Sequence, residues 1–77
     1  MEYPWEVVGF EVVKNEEENK TSIRLYVERD LTGANGEGVE TGRLFYNTKY
    51  VEYEPEIGHK IIAIEGRYGI ERIIRVG

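Results

Sequence analysis

Two isoleucine-rich runs near the C-terminus, Ile61–Ile64 and Ile70–Val76, restrict this chain more than any other feature. Side chains branched at Cβ lose χ1 freedom in a helix and fit a pleated surface, so both runs read as strands. Glu65-Gly66-Arg67-Tyr68-Gly69 separates them. Arg67-Tyr68-Gly69 fits a three-residue hairpin loop, a type I turn closed by Gly69 in the left-handed region, where a Cβ would clash. The hairpin lifts Arg67 and Tyr68 to its tip and gives earlier strands a stiff centre to pair against.

The rest of the chain supplies those strands. Pro4, which lacks an N–H, suits the start of a strand. In Glu6–Lys14, EVVGFEVVK, Val8, Phe10 and Val12 fall on one face and Val7, Gly9, Glu11 and Val13 on the other. Both faces are partly apolar, which predicts a strand covered on each side or bent into a barrel, with Gly9 marking a bulge or a close crossing. Thr21–Arg29 alternates cleanly, Ile23, Leu25 and Val27 inward against Ser22, Arg24, Tyr26 and Glu28 outward. Between the two, Asn15–Asn19 reads as a solvated turn whose three adjacent Glu serve solubility rather than metal binding. Asp30–Gly42 holds four Gly in thirteen residues and no apolar period, so it reads as a long loop with a tight turn at Asn35-Gly36. Its spacing fits neither a dinucleotide-binding glycine loop nor a calcium loop. A third strand begins at Arg43–Tyr46, with Leu44 and Phe45 facing opposite ways. Asn47 is placed to cap a single helical turn running through Val51, which is preferred to a strand that continues with a bulge. Glu54–Gly58 then turns into the terminal hairpin, since residues at and before a proline resist helix.

Seventy-seven residues make one domain, 1–77, expected to be all-β with five strands, one long Gly-rich loop and at most one short helical turn. Nothing at the N-terminus has the basic start and apolar run of a signal peptide, and no segment approaches the ~20 apolar residues of a membrane span. A cytoplasmic protein without membrane attachment is expected, and so small a domain leaves dimerisation open. With no Cys, one Ser (Ser22) and one His (His59), the chain has little for nucleophilic catalysis or zinc binding. His59 reads as a solvent-facing imidazole at a strand start. No enzyme activity, metal or cofactor is implied.

Net charge is −5, unevenly spread: ten acids and four bases lie in residues 1–40, five acids and six bases in 41–77. The total opposes nucleic-acid binding, while the second half retains the means for a local basic surface. Basic and aromatic residues interleave at Arg24, Tyr26, Arg43, Tyr46, Lys49, Tyr50, Arg67, Tyr68 and Arg72. Proteins that hold single strands stack bases on aromatic rings while cations follow the phosphates, without regard to base sequence. Tyr and Arg are equally the residues of protein–protein interfaces, so a protein-binding or assembly module is the alternative.

The order of long hairpin, loop, third strand, short turn and final hairpin is that of a small oligonucleotide-binding (OB-like) barrel. From Gly42-Arg43-Leu44-Phe45 through Pro55-Glu56-Ile57-Gly58 to Arg67-Tyr68-Gly69-Ile70-Glu71, the chain resembles small proteins of bacterial mobile elements. Those are similar to the helix-destabilising single-stranded-DNA-binding proteins of filamentous phages. The P-x-I-G lead into the hairpin and the R-Y-G tip carry the resemblance over residues 42–76, with a looser match over 7–30. It implies a barrel, dimeric in some members, that coats single strands, with Arg67 and Tyr68 as contact residues and Arg24 and Tyr26 on the sheet face. The acidic first half departs from that pattern.

Overall fold

In a computed structural model, residues 4–31 and 38–77 are described. They form five strands: β1 (Trp5–Asn15), β2 (Lys20–Asp30), β3 (Val39–Asn47), β4 (Lys60–Gly66) and β5 (Gly69–Arg75). All pair antiparallel in one sheet of order β3-β2-β1-β4-β5. No helix is present among the described residues, and so none long and apolar enough to cross a membrane.

The core forms on the inner face of β2, which is paired on both sides from Ser22 to Glu28. Ile23, Leu25 and Val27 are buried there with Val7, Tyr46, Val51, Ile61 and Ile73. Their alternation is the one read from the sequence. β1 reaches that face by a bulge. Val7 opposes Val27 and Gly9 opposes Tyr26, which leaves Val8 as the extra residue. The bulge expected at Gly9 is therefore present, but it changes the assignment of faces. Val7 shares the core side with Phe10 and Val12, because one added residue reverses the alternation.

β3 starts earlier than the sequence suggests. Val39–Gly42 pair with Val27–Asp30, so the Gly-rich loop is shorter than the span 30–42, and the Asn35-Gly36 turn lies outside the described residues. The apolar period is hidden here because the inward positions are Glu40 and Gly42. A Cβ on Gly42 would lie 3.3 Å from the Trp5 ring, so glycine makes room for the indole. The Arg29 guanidinium lies over that ring at 4.1 Å and forms a two-point pair with Glu40.

The turns follow local chemistry. Asn19 takes up a left-handed φ of 52° at the end of the β1–β2 turn, a conformation Asn tolerates. Asn47 accepts from Lys49 N through its side chain and from Tyr50 N and Val51 N through its carbonyl, which makes the single capped turn expected there. Gly69 has φ 115°, as the hairpin requires, although Gly66 pairs with Gly69 and leaves only two residues at the tip.

The sheet is not closed. Only Trp5 and Glu6 of β1 pair with β4, extended by Val7 N donating to His59 O and Gly58 N to Val7 O. β3 and β5 come into contact without a ladder between them. Leu25→Ala, at a fully buried position, is expected to lower unfolding stability by about 2–5 kcal/mol in urea titrations. Phe10→Ala, half-exposed on the same face, should cost under about half as much; equal losses would contradict the core drawn here.

Candidate functional site

A cleft of about 1020 Å³ opens at one end of the sheet, lined from the β1–β2 turn (Glu18), the β2–β3 strands (Ser22, Phe45) and the hairpin tip (Arg67, Tyr68). At the tight Gly66–Gly69 connection Tyr68 stands 93% exposed. Tyr50 projects from the capped turn at 74% exposure, and Phe45 stands 51% exposed on the outer side of β3. Three aromatic rings thus meet solvent around one opening. Each of the two tyrosines carries a cation: Arg67 Cζ lies 5.8 Å from the Tyr68 ring centre, and Lys49 Nζ 5.8 Å from that of Tyr50. Lys20 lines the same cleft, 3.1 Å from Glu18. The second acid there, Glu71, folds back over the tip. A Cβ on Gly66 would lie 2.7 Å from its Oε2.

Tyr46 is a correction to the expected set. It is 3% exposed, its inward position opposite Ile23 puts the ring in the core, and its hydroxyl donates to Tyr53 O at 2.7 Å. No ring face is left for stacking, and burial pushes its pKa well above the ordinary tyrosine value. Burial also raises Tyr53, whose hydroxyl shares a 2.8 Å hydrogen bond with His59 Nδ1. His59 is therefore not the free imidazole expected; its Nε2 lies 3.3 Å from the Glu56 carboxylate.

Arg24, Tyr26 and Arg43 do not line the cleft; they lie on the outer face of β2 and β3, where Arg24 is opposite Phe45. Glu11, across from Arg24 on β1, accepts from Tyr26 Oη at 2.8 Å and from Arg24 Nη1. These two donors, Tyr26 first, hold its carboxyl below the usual carboxylate value. Arg24 also lies 5.6 Å from the Phe45 ring centre, and Tyr26 covers Gly9. Arg43 borders a small hollow with Tyr26, and Arg72 is exposed on β5. Among the described residues, Arg43, Lys49, Arg67 and Arg72 form no ion pair. Of the expected residues, Tyr46 is in the core, Arg72 is on β5, Arg24, Tyr26 and Arg43 share the outer face, and Tyr50, Arg67 and Tyr68 line the cleft with Lys49 beside Tyr50. Phe45 and Lys20 line it too, without having been singled out. The only sequence signal for Phe45 was an apolar residue next to Tyr46 in a strand that can bury one of the two.

The chain matches no protein-family model, no curated protein and no solved structure.

The raised tyrosines tie stability to alkaline pH. Below the ordinary value of about 10 both states hold the protons; above it the unfolded chain releases them first, so stability falls as pH rises. Urea midpoints should stay level to about pH 9 and drop beyond about pH 10. Tyr46→Phe should reduce that drop while costing about 0.5–1.5 kcal/mol at neutral pH for the lost bond to Tyr53 O. An unchanged alkaline slope in the variant would contradict the placement of Tyr46.

Proposed function

We propose that the protein binds single-stranded nucleic acid without sequence specificity, in the cleft between the β1–β2 turn and the β4–β5 hairpin tip. The observation that carries this reading is the group of exposed rings, Phe45, Tyr50 and Tyr68, around one opening with Arg67 and Lys49 beside the tyrosines. Bases stack on such rings whatever their identity, and the two cations are free to meet phosphates. The sheet lends support. β1 lies between β2 and β4, and the outer strands β3 and β5 touch. Joined along that last seam, this would be an oligonucleotide-binding barrel, a fold that holds its ligands in part through the same two loops. The role is binding rather than catalysis. It fits a cytoplasmic protein of the kind found on bacterial mobile elements, which the C-terminal half resembles.

The acidic total limits this activity. Binding is expected to be modest and to weaken with salt, since few phosphates are neutralised. Titration with poly-dT at two salt concentrations, followed by intrinsic fluorescence, tests it. Tyr68→Ala and Tyr50→Ala should each weaken binding by about 1–3 kcal/mol, and Arg67→Ala should reduce the salt slope by about 1. Arg24→Ala should change little, because Glu11 already holds that guanidinium. Absence of binding at low salt would reject the proposal and favour a protein surface as the partner of these rings.

A further inference from the structure

β1 has neighbours on both sides only at its start. From Gly9 to Asn15 it has β2 on one side and, among the described residues, no strand on the other. A strand edge of this kind presents a row of free N–H and C=O groups that can template another strand. Its side chains are left over from the core as well. Phe10 and Val12 oppose the buried Leu25 and Ile23, yet they are 41% and 52% exposed. Val13 on the outer face is exposed too, and with Asn15 it borders the cleft, so a strand added here would compete with a ligand held there.

We propose that this edge joins two copies of the chain, β1 pairing antiparallel with β1 of a second copy about a two-fold axis at Val12. Length favours a second copy. The free segment Gly9–Asn15 is centred on Val12, so that axis pairs the whole segment with itself. Charge points the same way. Val12 meets Val12, Phe10 meets Lys14, Glu11 meets Val13 and Gly9 meets Asn15, so no like charges stand directly opposed. An axis at Glu11 or Lys14 would set like charge against like. One at Phe10 would draw the bulged Val8 into the ladder, and one at Val13 would leave Gly9 and Phe10 unmatched.

The faces also agree. Phe10, Val12 and Lys14 lie on the core side, while Gly9, Glu11, Val13 and Asn15 lie on the outer side, and each pair joins residues of one side. The Lys14 stem can cover the Phe10 ring of the other copy with its ammonium over the edge of the pair. Glu11 keeps Arg24 and Tyr26 as partners throughout. The contact is isologous and closes on two chains, so it does not propagate into fibres.

Sedimentation of the full chain over a wide concentration range, with two variants, tests this. The parent should reach the mass of two chains at high concentration and return to one on dilution. Val12→Lys places ammonium against ammonium at the axis and should abolish the two-chain species while keeping the parent circular dichroism spectrum. Because the chain has no cysteine, Val12→Cys gives a clean second readout. Directly opposed Cβ atoms lie near disulfide range, so mild oxidation should link most of it into pairs. Cysteine at Ile57, exposed outside the strands, should link far less. A one-chain mass at every concentration, a two-chain mass that survives Val12→Lys, or equal linking at 57 and 12 would overturn the proposal. The first of these would leave the edge to an extended segment of another protein.

Discussion

A short seam holds the two halves of this protein together. Trp5 and Glu6 pair with Ile61 and Lys60, and Val7 exchanges backbone hydrogen bonds with Gly58 and His59. Those few bonds hold the terminal hairpin in place, with Ile61 and Ile73 buried in the same cluster as Leu25 and Val27. Immediately afterwards the bulge at Val8 bends β1 away from β4. One residue more or less at that point would either extend the seam or turn Phe10 and Val12 to the other face. The seam and the bulge act as a pair: the first builds the core and the second ends it.

What lies beyond the bulge follows from that divergence. The β1–β2–β3 meander runs on past the hairpin, and the hairpin tip faces it across an open cleft instead of a closed wall. Large aromatic and apolar side chains stay at the surface around that opening. Phe45, Tyr50 and Tyr68 border the cleft, and the far half of β1 has, among the described residues, one edge without a strand. Basic residues divide by neighbour. Arg24 and Arg29 are held by Glu11 and Glu40, whereas Arg67 and Lys49 lie beside aromatic rings and, among the described residues, form no ion pair. In a chain of net charge −5, that division matters more for an anionic ligand than the total does.

Local signals in the sequence carried a good part of this. The alternation of β2, the glycine at the hairpin tip, the bulge beside Gly9 and the Asn47 cap depend on neighbours within a few residues, and each is readable there. What depends on pairing between strands was hidden. Val39–Gly42 looks like loop because its inward positions are a glycine under Trp5 and a Glu tied to Arg29. Arg43–Tyr46 carries large apolar side chains on both faces, and only register with Ile23 decides that Tyr46 is buried and Phe45 is not. Glu11 disarms Arg24 across a strand boundary, thirteen residues away in sequence. Whether five strands close into a barrel is likewise a matter of how far β1 and β4 run together, which no local pattern records.

The central claim is that the cleft, and not the outer face of β2, meets a single strand. Amide chemical shifts of the labelled chain, followed while a short oligothymidylate is added, test it most directly. The account predicts the largest movement at Tyr50 and Gly66–Gly69, smaller movement at Phe45 and its neighbour Arg24, and none at Glu11 and Tyr26. Shifts gathered on Glu11 and Tyr26, or none anywhere at high oligonucleotide concentration, would contradict it.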